Sequence, residues 1–203
     1  SGQVLHSIPG DSLAGANLRG ANLMFADLRG QDLRNTDFSG AIVEGAHFED
    51  AVADGANFTG VDGTTMFWAG ARAVGALFVD AIILDIQAPG VDFSGADFTR
   101  TVATWSDLRG CRFAGAEMAK ADLSGARIPG GVFSTANLAS ADLRRADITL
   151  GDFSFANLTE ANLTLATLEK ARLIQAELIR TNLQGACLKG ADLTGARGDV
   201  PSS

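Results

Sequence analysis

Leu13, Leu18, Leu23, Leu28, Leu33 and Phe38 open a series in which a large apolar residue returns at nearly every fifth position. It runs to Leu193, through 37 units without insertion or deletion. Seventeen of these centres are Leu and nine are Phe. Two positions before each centre the residue is small, and in 24 units it is Ala. Between the two stands a polar residue, often Asp or Asn. Gly dominates the second position after the centre, as at Gly20, Gly30 and Gly40. A period of five matches neither an amphipathic helix nor an alternating strand. In extended backbone, residues two apart point to the same side. The small residue and the centre therefore face inward together, and the residue between them faces out. The last two positions must turn the chain. Pro89-Gly90 and Pro129-Gly130 fall there and read as type II corners. The pattern predicts a coil that bends once per unit and buries its core by stacking turn on turn.

Runs such as Gly15-Ala16-Asn17-Leu18-Arg19-Gly20-Ala21-Asn22-Leu23 resemble the pentapeptide-repeat family, and the likeness spans residues 13 to 193. It implies an all-β fold, a right-handed quadrilateral β-helix with four units per coil. That gives about nine coils at a spacing of about 4.8 Å, a rod of roughly 45 Å. Residues twenty apart then lie one above another. Phe38, Phe58, Phe78 and Phe98 form one column, and Phe93, Phe113, Phe133 and Phe153 a second; both are expected in the core.

Three segments are expected. Residues 1–12, with Val4, Leu5 and Ile8, read as a cap over the first coil, since an open coil end exposes apolar centres and unpaired strand edges. Residues 13–195 form the β-helix, and 196–203 an irregular tail. Within the helix, residues 61–105 keep the register but lose the consensus: Gly63, Ala73, Ala88 and Ala103 stand where large centres belong. The last coil, carrying Leu178, Leu183, Leu188 and Leu193, looks poorly covered, so a homodimer or partner contact is expected at that end.

Charge changes the picture next. The chain carries a net −8. Residues 1–100 hold 13 acids against 5 bases, and residues 101–203 hold 11 of each. A nucleic-acid binder needs a basic stripe, which is lacking, so direct DNA or RNA binding is not expected; a basic protein partner suits the first half. No window of about 18 apolar residues reads as a membrane span. The first ten residues have no basic start and do not read as a signal peptide. Cys111 and Cys187 lie nearly four coils apart, roughly 18 Å at the strand spacing, too far for a disulfide. This fits a reducing cytoplasm.

Candidate chemistry is sparse. Asp at the outward position reads as a solvated face. His6 and His47, with two scattered cysteines, do not make a metal site. No phosphate loop, dinucleotide fingerprint or nucleophile triad stands out. No catalytic residue, metal or cofactor is expected. What stands out is an outward apolar cluster. Ile42, Ile82 and Val102 share one outward column interrupted by Asp62, Leu84 lies across the same face, and Phe67 and Trp105 flank it. Exposed apolar patches with aromatic anchors mark protein-binding surfaces. The expected function is a non-enzymatic scaffold for an unidentified protein partner. The family resemblance implies an alternative, because members mimic duplex DNA and bind DNA gyrase or topoisomerase, conferring quinolone or toxin resistance. In that reading Asp27, Asp32, Asp37, Asp92 and Asp97 stand in for phosphates.

Overall fold

The computed structural model describes residues 12–198. All but the last residue of the expected cap, and residues 199–203 of the expected tail, lie outside the described residues. Parallel bridges join each outward residue to the one twenty positions on, from Asn17↔Asp37 to Arg172↔Asp192. Four units therefore make one coil. Each side of the coil is a three-residue extended segment whose middle residue is bridged above and below. Only the last pairing is longer: β1 (Glu177–Leu178) runs parallel to β2 (Arg197–Gly198). The ladder thus continues past the boundary expected after residue 195, with Arg197 N donating to Ala176 O at 2.9 Å. Ala196 keeps the small inward position, and Gly198, with no side chain, sits where a centre would be. The missing large centre made this unit unreadable as a repeat.

At most of the described corners the carbonyl of a centre accepts the amide three residues on, as in Ala16 N to Leu13 O at 2.9 Å. The corners after Gly63, Ile83, Ala88 and Ala103 lack this bond, and Ile86 N donates to Ser106 Oγ instead. The second corner residue has positive φ at every unit from Gly15 to Gly195. Pro129-Gly130 combines the positive φ of the expected type II turn with its bond, Gly131 N to Ile128 O at 2.9 Å, whereas Pro89-Gly90 has the positive φ without a bond from Val91 to Ala88. The positive φ recurs where Gly is absent as well. Nineteen corners hold another residue there, including Phe25, Trp105, Leu150, Phe155 and Leu165.

The four centre columns fill the interior. Phe38, Phe58, Phe78 and Phe98 stack with centroids 4.8, 4.9 and 4.7 Å apart and rings within 8° of parallel. Phe93, Phe113, Phe133 and Phe153 stack at 5.4, 5.1 and 4.7 Å. The columns meet edge to face, Phe98 against Phe113 at 76°. Where the consensus lapses the core does not. Large residues move into the small position two before or three after a weak centre: Val61 and Met66 around Gly63, Ile86 and Val91 around Ala88, all buried. A Cβ at Gly63 would lie 2.7 Å from the Met66 methyl. Trp68 is buried in the column of Ala88, with Ala73 as the next centre along the chain. Three buried threonines are satisfied in register: Thr36, Thr101 and Thr181 each donate to a centre carbonyl 23 residues earlier, at 2.6, 2.5 and 2.7 Å, whereas the buried Trp68 Nε1 has no partner among the described residues.

Candidate functional site

Four outward columns define four faces. Face 1 carries Asn22, Ile42, Asp62, Ile82 and Val102; face 2 carries Asp27, His47, Phe67 and Asp107; face 3 carries Asp32, Arg72, Asp92 and Arg112; face 4 carries Asp37, Leu77 and Asp97. The expected apolar cluster gathers on face 1 and its corner with face 2. Ile42, Asp62, Ile82 and Val102 are bridged in that order. Ile42 and Ile82 are exposed at 40% and 47%. Leu84 and Val102 are half-buried on the same side. Phe67 is also half-buried and stacks on His47 with centroids 4.7 Å apart.

Trp105 stands on the corner, 66% exposed, with φ at 60°. Its indole lies flat along the rod, over the corner of the next coil. A Cβ on Gly125 would meet it at 2.6 Å, and Gly125 lacks that atom. Phe25 repeats the arrangement four coils earlier on the same corner, over Gly45. Phe25 is 69% exposed and Met24 beside it 40%. Both extend the patch and were missed by the sequence reading, because they fall in turn positions of consensus units, where solvent-facing residues carry no packing signal. The pairing of a bulky corner residue with Gly twenty positions later was the available clue.

Carboxylates punctuate this surface. The ion pairs of the first half join Arg19 to Asp37, Arg29 to Asp27, Arg34 to Asp32, Arg72 to Asp54 and Arg100 to Asp80. Glu44, Asp62 and Asp85, which border the apolar residues, stand outside those pairs.

The five proposed phosphate-like acids are not brought together. Asp27 lies on face 2, Asp32 and Asp92 on face 3, and Asp37 and Asp97 on face 4. Asp27 and Asp32 are each held by an arginine two residues on, at 2.8 and 2.6 Å in both pairs. The Arg29 hydrogen bond is the main cause that holds the Asp27 carboxyl at about 2, and Arg34 likewise lowers Asp32. All five accept the amide of the residue two on, as Thr99 N to Asp97 at 2.8 Å and Ser94 N to Asp92 at 3.0 Å. They are Asx-type caps of the corners that follow them. This is the physical reason that Asp and Asn recur at the outward position.

His47 Nδ1 lies 3.0 Å from Glu49. Among the described residues no group of His, Cys, Asp and Glu has the geometry to hold a metal ion, and no helix is long and apolar enough to cross a membrane. Cys111 is buried with Sγ 2.8 Å from Ala88 O; Cys187 is exposed.

The family model for pentapeptide repeats matches in eight copies over residues 12–40, 32–62, 87–115, 116–154 and 156–195. The stretch 63–86, which it skips, holds Gly63, Met66, Ala73 and Ile86, part of the region where core volume changes places. No curated protein matches the chain. Among solved structures it is similar to HetL, a pentapeptide repeat protein involved in heterocyst differentiation regulation in the cyanobacterium Nostoc, with 22% identity. The match covers 94% of this chain and 92% of that one, at a TM-score of 0.48. A trypsin-treated form of QnrB1, a plasmid-mediated fluoroquinolone resistance protein, matches at 21% identity over 90% and 86%, with a TM-score of 0.53. Rfr23 from the cyanobacterium Cyanothece matches at 23% over 58% and 91%, with a TM-score of 0.35. Repeat period, coil geometry and the family model agree: the chain belongs to the pentapeptide-repeat family and folds as a right-handed quadrilateral β-helix.

Proposed function

We propose that the protein is a non-enzymatic scaffold that docks a protein partner on the corner between faces 1 and 2. The observation that carries this reading is the exposed series Ile42, Ile82 and Trp105, set among Glu44, Asp62 and Asp85. Such a surface suits a partner that presents apolar side chains flanked by Lys or Arg. The stacked ladder holds the anchors rigidly, so little conformational entropy is lost on docking. Trp105 is the expected hot spot, being aromatic and projecting from a fixed corner. The test is crosslinking and quantitative capture with wild-type, Trp105→Ala and Ile82→Asp proteins. A partner held by the wild type and weakened at least about tenfold by Trp105→Ala, with unchanged melting temperature, supports the proposal. A partner indifferent to both substitutions overturns it.

The acidity of the first half favours a second reading, mimicry of duplex DNA toward gyrase. A supercoiling assay with bacterial gyrase, with and without a quinolone, separates the two. Inhibition or drug protection, lost when Asp92 and Asp97 become Asn, would replace the scaffold reading with mimicry. The expected outcome is no effect, because Asp27 and Asp32 are already paired and the five acids are spread over three faces.

A further inference from the structure

Face 3 carries a pattern that the other faces lack. From the fourth coil upward its outward residues read Arg72, Asp92, Arg112, Val132, Asp152, Arg172, Asp192, one per coil in an unbroken bridge series. We infer that face 3 is self-complementary, and that two copies of this chain pair through it, antiparallel, about a two-fold axis crossing the face at Val132.

The geometry follows from the register. A two-fold axis lying in the interface, perpendicular to the rod, sets residues whose numbers sum to 264 opposite each other. Arg72 then faces the partner copy's Asp192, Asp92 its Arg172, Arg112 its Asp152, and Val132 meets Val132. Each pairing occurs twice by symmetry, giving six opposite-charge pairs around an apolar centre. A shift of one coil either way destroys the match. One direction sets Arg72 on Arg172 and Asp92 on Asp152; the other sets Asp92 on Asp192 and Arg112 on Arg172. Parallel, in-register pairing sets every charge on its like. The charge pattern therefore specifies one arrangement, the isologous kind expected of a closed dimer.

The corners beside the face obey the same symmetry, and this is an independent observation. The axis keeps each edge of the face on its own side. Leu150 and Phe155, exposed at 60% and 56%, border the coil of Asp152. They come opposite Gly110 and Gly115, which border the coil of Arg112. A Cβ placed on either glycine would meet nothing closer than 3.7 Å, so both leave room for an incoming side chain. Lys170 and Gln175 come opposite Gly90 and Gly95, whose corners are equally open. Every bulky corner on the upper half of the face meets a bare corner on the lower half.

Within one chain the same charges also support each other along the ladder, as in Arg172 to Asp152 at 3.5 Å. Arginine's forked donors serve a neighbour in the coil and one across the interface together. Seven coils at about 4.8 Å span about 29 Å, a strip of a few hundred Å² per copy. Stable interfaces bury about 800 Å² per partner. The dimer is accordingly weak, and salt opposes it.

The experiment is sedimentation equilibrium of the full chain up to about 1 mM, a range suited to weak interfaces, in low salt and in high salt. The wild type is expected to dimerise in low salt and dissociate in high salt. Arg112→Asp alone and Asp152→Arg alone set like charges across the interface, and each is expected to be monomeric. An equimolar mixture of the two restores opposite charges at both sites and should dimerise, as should the double variant R112D/D152R. Val132→Arg places two arginines on the axis and should also yield monomer. Circular dichroism melts confirm folding, with Val132→Arg kept as the substitute should a charge reversal unfold the chain. A monomeric wild type at the highest concentration, single variants that dimerise as well as wild type, or a mixture that stays monomeric would each overturn the inference. Because face 3 is remote from the corner of Trp105, Trp105→Ala leaves this dimer intact. Failure here and failure of the proposed docking site are thereby distinguishable.

Discussion

At the scale of single residues, the repeat is governed by one backbone requirement, a positive φ at each corner. For a residue with a Cβ this conformation costs roughly 1–2 kcal/mol, yet nineteen corners accept it. Some return contact: Trp105, Phe25 and Leu165 lie over Gly125, Gly45 and Gly185. Lys120, exposed with φ at 61°, forms no ion pair among the described residues. Lys120→Gly is therefore expected to raise stability by roughly 0.5–1 kcal/mol. Gly125→Ala is expected to lower it, because its Cβ meets the Trp105 ring at 2.6 Å in a backbone that already disfavours it. Urea denaturation of both variants checks the pair of signs. The cysteines make a second test at this scale. Burial pushes the Cys111 thiol up to about 12, and thiolate is the reactive form. A maleimide should label Cys187 in the native protein and Cys111 only in denaturant, read by mass spectrometry.

The element is the coil, and its stability comes from stacking like on like. Phe98 is 4% exposed, 4.7 Å from Phe78 and 5.6 Å from Phe113. Phe98→Ala should cost about 3–5 kcal/mol, and Phe98→Asp more, since it buries a charge without a partner. Unchanged melting of the Asp variant would refute four units per coil. The middle coils allow a subtler test. Met66→Ala should cost about 2–4 kcal/mol by opening a cavity beside Gly63. Adding Gly63→Leu restores the consensus arrangement and should recover most of the loss. A double variant no more stable than Met66→Ala would show that the two positions do not share one space.

For the molecule as a whole, charge and shape are distributed by face. Asp27, Asp32, Asp37, Asp80, Asp107 and Asp192 all titrate below the usual carboxylate value of 3.8. For Asp27 and Asp32 the first cause is an arginine hydrogen bond, and for Asp37 a serine one. The unfolded chain binds more protons than the folded one between that value and the lower folded ones. Stability from these groups is present above about pH 4, and is lost as pH falls toward the Asp27 value of about 2. Melting temperature should be flat near neutrality and decline steadily below about pH 4. A melting temperature that holds constant down to about pH 2.5 would contradict the pairing of Asp27 and Asp32 with their arginines.

The five-residue register determined most of this molecule without coordinates. An unbroken period leaves one way to place Ala and Leu inward, so the core columns and outward faces were legible from Leu13 to Leu193. What failed was legibility where volume moved. Met66 substitutes for Gly63 by reaching across an inward corner, and Gly198 continues a ladder whose side chain is missing; neither changes the period, so neither leaves a mark in it. The patch around Ile42, Ile82 and Trp105 was readable because twenty-residue spacing names its neighbours. Phe25 was not, because a corner side chain declares its direction only once φ is known. The acids show the same division. Their positions were plain, but that Asp27 is clamped by Arg29 while Asp62 stands outside the ion pairs depends on rotamers that only a packed surface selects. Sequence decided the order of residues along each column; tertiary structure decided which of them face a ligand, a neighbour or empty space, because that depends on distances across coils that no linear pattern contains.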